Sequence, residues 1–399
     1  MTSPAPGRRA QGPAEPASAD TSARRRAAGN GRDTPTCAIV GGGLGGFVTY
    51  TTLRHGGLEP AEIAVFGTDP DPAATFRAQA AAIRQRHMRS ESDGHVQART
   101  FPGLAVRSAC RSRSIRPLLD SVRDRYRPTV DEFLAHVAEA RRTSGWDASF
   151  RQERIEQVSA VDGGFSLDDH GVFAHVLLAP GHPGLAFPPG LEDDPRVVHA
   201  YEPHDYADEV AVVGAGMAAA TEWLNALAAG SRVVSIRRRE PARRPLNVER
   251  RYFTKRGLAE FQRSGREERV ALLRAFTAPS YPPGPEWDEP IADAVAAGRF
   301  RVEPEANGAA QVICATGFRR GFQADPLLGR LVREHGVETA EGWIVLAPDS
   351  TVPALTDETR TLSLAGSCAQ WGHPGADTVV GMKYAARGFL RRVRRWRTR

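Results

Sequence analysis

Two short glycine clusters carry the first chemistry that can be read from this chain. Gly41-Gly-Gly-Leu-Gly-Gly46 follows the apolar run Thr36-Cys-Ala-Ile-Val40, and Gly214-Ala-Gly-Met-Ala-Ala219 follows Glu209-Val-Ala-Val-Val213. Gly41, Gly43 and Gly46 fit G-x-G-x-x-G, while Gly214, Gly216 and Ala219 fit its variant ending in alanine. In such a turn the first glycine permits the bend, the second lets a pyrophosphate approach the backbone, and the third small residue lets helix pack on strand. The phosphates would rest on the free N–H groups at the helix start. One such turn is a weak signal, because glycine turns occur in many loops that bind nothing. Two behind similar strands are hard to ascribe to chance.

The residues beyond each turn sharpen the reading. Glu62-Ile-Ala-Val-Phe66 reads as the strand that completes the first β-α-β unit. A carboxylate for the ribose is expected at its end, but Gly67 stands there; Thr68 or Asp69 could substitute, Asp69 being the better acceptor. After the second turn, Arg232-Val-Val-Ser-Ile236 ends in Arg237-Arg238-Arg239. Arginine in place of a carboxylate suits the extra phosphate of NADPH, which needs cationic fork donors. Arg237 and Arg238 are the expected clamp, and a solvated basic turn is the bland alternative.

The elements that must position these residues follow from periodicity. Helices are expected at Phe47–His55, 72–87, Thr129–Ala140 and from the second turn to about Ala229. His136 would lie on a helix surface or in the core. Arg154–Leu178 reads as short strands with a turn at Gly163-Gly164. Met88 to His95 is a dense polar cluster, either a solvated loop or a loop crossing a cofactor's face. Residues 279–290 read as a proline-rich loop. Gln311-Val-Ile-Cys-Ala-Thr-Gly317 and Arg360-Thr-Leu-Ser-Leu-Ala-Gly366 are strands running into glycine turns. Ala376–Val393 suits an amphipathic helix, with Asp377 at its start and arginines at its end matching the helix dipole.

The 399 residues, 41% hydrophobic and 25% charged, are enough for a large core and two or three domains. Residues 1–34, rich in Pro, Ala, Gly, Ser and Arg, are expected to be a disordered tail. Its arginines lack the apolar segment of a secretory signal. The formal charge of +6 is spread along the chain and at its termini, without a nucleic-acid-binding motif. No apolar run approaches the ~20 residues that span a bilayer. Cys37, Cys110, Cys314 and Cys368 form no C-x-x-C pair and are expected to be buried thiols of a cytoplasmic protein. No G-x-S-x-G elbow or H-E-x-x-H zinc pair is present, and no metal is expected.

The arrangement resembles the two-dinucleotide-binding-domain flavoproteins. Within them it is similar to the single-component, NADPH-dependent flavin monooxygenases, above all the N-hydroxylating enzymes related to ornithine and lysine monooxygenases. The resemblance spans about residues 36–395 and rests on both glycine motifs, on Val198-His-Ala-Tyr201, and on Ala315-Thr-Gly-Phe318, which is similar to that subgroup's Ala-Thr-Gly-aromatic signature. It implies an α/β fold of two Rossmann-like domains, the NADPH domain inserted in the FAD domain: residues 35–205 and 309–399 for FAD, 206–308 for NADPH. Gly41, Gly43, Gly46, Asp69, Met88 and Gly366 would then serve FAD, and Gly214, Gly216, Ala219, Arg237, Arg238 and Gly317 would complete the cofactor sites. Ser367 replaces the usual acid after Gly366. Asn247 matches an asparagine that contacts substrate or nicotinamide in relatives, and Met88, Arg89 and Glu91 would lie near the isoalloxazine. The segment between Val302 and Gln311 is short for the family.

The activity implied is insertion of one oxygen atom, through a peroxyflavin formed by NADPH-reduced FAD and oxygen, into a nucleophilic nitrogen, with a sulfur or a ketone as the alternative acceptor. The partners are a small-molecule substrate and molecular oxygen, with a homo-oligomer left open and neither nucleic acid nor membrane. An NADPH-dependent flavin reductase or electron transferase, and a non-catalytic nucleotide-binding regulator, are the alternatives.

Overall fold

Short strands that are buried on both faces read as unbroken apolar runs, and those of this chain build two parallel sheets. The computed structural model describes residues 35–88, 96, 103–122, 126–244, 246–306 and 308–398. The expected tail, Arg89 and Glu91 lie outside them.

The chain lays down β1 (Cys37–Val40), α1 (Leu44–His55), β2 (Ile63–Gly67), β3 (Phe150–Gln152), a three-stranded antiparallel meander over 158–173, and β4 (His175–Leu178). It then builds β5 (Val197–His199), β6 (Glu209–Val213), α2 (Met217–Ala228), β7 (Arg232–Ile236), α3 (Pro285–Ala296), β8 (Phe300–Glu303) and β9 (Gln311–Cys314). It returns with β10 (Thr361–Leu364) and α4 (Val379–Arg397). The first sheet has the order β10-β4-β1-β2-β3 and the second β8-β7-β6-β9-β5. Every pairing in both is parallel. The second sheet is thus inserted between β4 and β10, and its strands β5 and β9 reach beyond the stretch 206–308 at both ends.

The strand period of two sorts side chains of the first sheet into two cores. Cys37, Ile39, Val65 and Leu177 meet Phe47, Tyr50 and Leu53 of α1 and Phe389 and Val393 of α4. Ala38, Val40, Phe66, Val176 and Leu178 face the meander and the later chain. Trp146, fully buried, packs edge-on against Phe47 and Tyr50 at 5.1 and 5.2 Å. Helix α4 can sit close because a Cβ on Gly388 would lie 2.3 Å from the Asp349 carbonyl oxygen. Its N-cap is Thr378, whose hydroxyl accepts from the Gly381 N–H, rather than Asp377.

Several local expectations change. The proline-rich stretch 279–290 contains the strand Ser280–Tyr281 and the start of α3. Pro285 stands in that helix's first turn, where its missing N–H costs nothing. Trp287, Ile291 and Ala294 form a helical stripe on the second sheet that the prolines mask in the sequence. The helix expected over 72–87 is confined to Ala74–Ala82. Cys37 and Cys314 are buried but Cys110 is exposed. His136 is a core residue: burial, with Arg107 and Lys383 nearby, pushes its pKa down to about 4. Among the described residues, no helix is long and apolar enough to cross a membrane.

A polar cluster joins the two sheets. Glu222 of α2, completely buried, accepts from the Tyr206 hydroxyl at 2.8 Å and lies 3.0 Å from His204 Nε2. Arg84, in the turn after residues 74–82, covers the Tyr206 ring at 4.6 Å, and Asn225 donates to the Ile83 carbonyl at 2.8 Å. Burial, the largest single influence, pushes the His204 pKa down, but the hydrogen bonds to the Glu222 carboxylate and the Glu202 carbonyl, with the Glu222 charge, together outweigh it, and the net shift is upward. A raised folded-state pKa contributes stability that is fully present below the unfolded value of about 6.5 and fades as pH rises through the folded value. His204→Ala is therefore expected to destabilise the protein by about 3 kcal/mol at pH 6, because it strands a buried carboxylate. Urea melts of both proteins should show that gap narrowing toward pH 8.5; a gap that widens would contradict the sign.

Candidate functional site

Both glycine turns are built by the same close approach. Gly41 has φ +119°, and a Cβ there would lie 2.0 Å from the Ala179 carbonyl oxygen, just beyond β4. Gly214 has φ +138°, and its Cβ would lie 2.5 Å from the Ala315 carbonyl oxygen, just beyond β9. Only glycine meets both demands. The third small residues differ in degree: a Cβ on Gly46 would strike the Gly41 carbonyl oxygen at 1.9 Å, whereas the Cβ of Ala219 would stand an ordinary 3.5 Å from a Cβ on Gly214. The middle glycines are open. No atom lies within 4 Å of a Cβ at Gly43, and only Pro279 comes as near as 4.0 Å at Gly216.

These open glycines are the N-caps of α1 and α2, and neither helix has a side-chain cap. By contrast the helix Val130–Ser144 is capped by Thr129 and Pro326–His335 by Asp325. Free N–H groups at a helix start, beside an open glycine and at the point where strand order reverses, fit a dinucleotide pyrophosphate.

The structure explains the missing ribose acid. A Cβ on Gly67 would lie 2.7 Å from both Gly42 N and Gly42 Cα and 3.1 Å from the Phe150 ring. The end of β2 is pressed onto the turn, so no side chain fits. Asp69 is exposed at the same edge, with its carboxylate accepting from the Asp71 N–H at 2.8 Å. Met88 turns inward: its side chain is buried in the core beneath the first sheet, and its N–H donates to the Pro128 carbonyl.

At the end of β7, the arginines divide. Arg237 pairs with Glu240 at 2.9 Å, lies over Trp223 at 5.3 Å from the ring centre, and has an 11% exposed side chain. Arg238 and Arg239 are exposed.

The segments that leave β4 and β9 come together as an antiparallel ribbon. Leu185 bridges Phe318, the Ala186 N–H donates to the Gly317 carbonyl at 2.9 Å, and the Arg319 N–H donates to the Gly184 carbonyl at 2.9 Å. Three rings stack on it: His182 on Phe318 at 4.1 Å and Phe318 on Tyr201 at 4.9 Å, both 9° from parallel. The sequence holds a signal for this, since Ala179-Pro-Gly-His182 and Ala315-Thr-Gly-Phe318 are the same pattern twice.

A cleft of about 830 Å³ is lined by this stack, by Gly214 to Ala218, and by Asn247, Gly317 and Ser367. Asn247 is held by the Ser280 hydroxyl, which donates to its Oδ1 at 2.6 Å. Gly366, with φ +77° and open space around it, precedes Ser367, whose hydroxyl donates to the Gly181 carbonyl at 2.9 Å. The cleft therefore gathers Gly214, Gly216, Asn247 and Gly317 of the expected residues, with Gly366 adjoining through Ser367. Gly41, Gly43, Gly46, Asp69, Met88, Arg237 and Arg238 do not line it. Among the described residues, no group of three or more His, Cys, Asp or Glu is placed to hold a metal ion.

No protein-family model and no curated protein sequence matches the chain. Solved structures do. An ornithine N-hydroxylase of Kutzneria sp. 744, in a state with reduced FAD, NADP+ and L-ornithine, superposes with a TM-score of 0.70 at 16% identity, covering 91% of this chain and 100% of that one. The ornithine hydroxylase of Pseudomonas aeruginosa gives 0.63 at 16% identity, over 90% and 100%. A bacillithiol disulfide reductase of Bacillus cereus gives 0.54 at 14% identity, over 90% and 98%. These likenesses establish a shared two-sheet α/β fold.

Because the end of β2 is pressed onto the turn, Gly67→Glu is expected to destabilise rather than restore a ribose ligand. The collision should lower stability by about 2 kcal/mol, seen as a lower melting temperature with no gain in affinity for FAD; tighter binding at unchanged stability would contradict it.

Proposed function

We propose that the protein is an FAD-dependent, NADPH-consuming monooxygenase that hydroxylates a nitrogen of a small amine or amino-acid-like substrate. The observation that carries this reading is the cleft itself. The second glycine turn and the segments leaving β4 and β9, the strands packed against the two turns, border one cavity, so two dinucleotides bound at those turns would extend toward each other there. The fold shared with structures of ornithine N-hydroxylases supports it. Fold alone does not fix chemistry, as the disulfide reductase in the same fold shows; the absence of a C-x-x-C pair argues against dithiol chemistry.

On this reading the first sheet holds FAD: Gly41, Gly43, Gly46 and the start of α1 take the pyrophosphate, and Gly366 closes over it. The second sheet holds NADPH through Gly214, Gly216, Ala219 and the start of α2, with Gly317 at the cleft. Bound FAD, once reduced by NADPH, supplies the oxygen activation. The chain's residues orient the reactants and exclude water: Asn247, fixed by Ser280, offers an amide to substrate or nicotinamide, and the ring stack walls the cleft. Asp69 is left as an exposed acceptor for the ribose.

The test is turnover. The purified protein should take up FAD, oxidise NADPH, and form a hydroxylamine from an amine in proportion to the NADPH consumed. Reduction of the flavin with all oxygen appearing as peroxide would favour the reductase alternative, and failure to take up FAD would end the flavoenzyme reading.

Coenzyme choice separates the arginines. Arg238→Ala should weaken NADPH binding about 10-fold, as expected when a charge-assisted phosphate contact is lost, with NADH changed less than about 2-fold. Arg237→Ala should instead lower stability through Glu240 and Trp223. Equal losses for both coenzymes in Arg238→Ala would contradict the phosphate contact.

A further inference from the structure

Resting on the monooxygenase reading, the cleft's lining narrows the substrate. Its wall includes the stack of His182, Phe318 and Tyr201, three parallel rings whose outer member, His182, is exposed to the cleft. Another part is apolar: Phe276, Leu328 and Ile344 are buried core residues that reach the cleft, joined by Trp343 and Phe322. The carboxylates among the described lining residues are engaged. Asp325 caps a helix by accepting from the Leu328 N–H at 2.9 Å, Glu341 pairs with Arg274, and Asp377 lies within charge range of Arg320. A linear diamino acid would bring two ammonium groups, each needing a partner once removed from water. An aromatic monoamine brings one ammonium group instead of two, and its ring meets the faces and apolar surface that this cleft provides.

We propose that the substrate is an amine with an aromatic body, its ring lying on His182 as a fourth member of the stack. The balanced reaction is R–NH2 + O2 + NADPH + H+ giving R–NHOH + H2O + NADP+. One oxygen atom forms the N–O bond, the other leaves as water, and NADPH gives up the two electrons. His182 touches the substrate's ring and takes no part in proton transfer.

The experiment uses the FAD-loaded full chain with phenethylamine and L-ornithine as probes. It measures flavin difference spectra on titration, NADPH consumed, hydroxylamine formed and peroxide released. Phenethylamine should perturb the flavin spectrum and yield hydroxylamine, while L-ornithine should leave NADPH oxidation ending in peroxide. His182→Ala should weaken phenethylamine binding about 5-fold, the scale of one ring–ring contact, and His182→Phe should retain it, with equal FAD content showing that both variants are folded. Coupled hydroxylation of L-ornithine in preference to phenethylamine, peroxide alone with both amines, or unchanged phenethylamine binding in His182→Ala would overturn the proposal. Wild-type protein that takes up no FAD fails at the earlier step, so that outcome counts against the monooxygenase reading and is told apart from these.

Discussion

The structure depends on one contact made twice: a glycine at the end of a central strand lying against the carbonyl of the residue that leaves the neighbouring strand. Gly41 meets Ala179 and Gly214 meets Ala315 at distances no side chain would tolerate. The hydrogen bonds around each contact match. The Ala179 N–H donates to the Val40 carbonyl and the Ala315 N–H to that of Val213. With the turn pinned in this way, the helix that follows must start at the switch in strand order, where its free N–H groups face a crevice.

The same contact directs the chain between sheets. The residues after Ala179 and Ala315 leave side by side, pair as a short ribbon, and bring His182 and Phe318 face to face. Tyr201, arriving from the second sheet's edge strand, extends the stack. Each ring pair is worth about 0.5–1.5 kcal/mol beyond its burial, so the stack helps hold the two sheets in register around the cleft. The cluster around buried Glu222 joins them at a second place, through Arg84 over the Tyr206 ring and Asn225 on the Ile83 carbonyl. An orientation fixed at two points suits a site that must bring two bound groups together.

Strands were legible where burial on both faces leaves unbroken apolar runs, as in Cys37–Val40 and Glu209–Val213, and the glycine turns were legible because backbone geometry admits few alternatives. The limits are equally physical. That Gly67 is glycine is visible in the sequence, but its cause, the pressure of Gly42 and Phe150, is a long-range contact. Helix α3 was hidden by prolines that its first turn and exposed face accommodate. Arg237 sits where a phosphate clamp was expected, yet Trp223 and Glu240 already hold it, and no periodicity encodes that pairing. The His182–Phe318 stack left a trace in the repeated Ala-x-Gly-aromatic pattern, but only the ribbon shows that the two copies meet.

The central claim, two dinucleotide sites at two similar turns, has a direct test because Gly43 and Gly216 have ordinary backbone angles and open surroundings. A Cβ at either position meets no atom closer than 4.0 Å, so a valine there should block a ligand while leaving the fold intact. The measurement is the binding of FAD and NADP+ to Gly43→Val and Gly216→Val by calorimetric titration. The account predicts that Gly43→Val loses FAD and Gly216→Val loses NADP+ while keeping FAD. Folded variants that bind both cofactors as tightly as the wild type would contradict it.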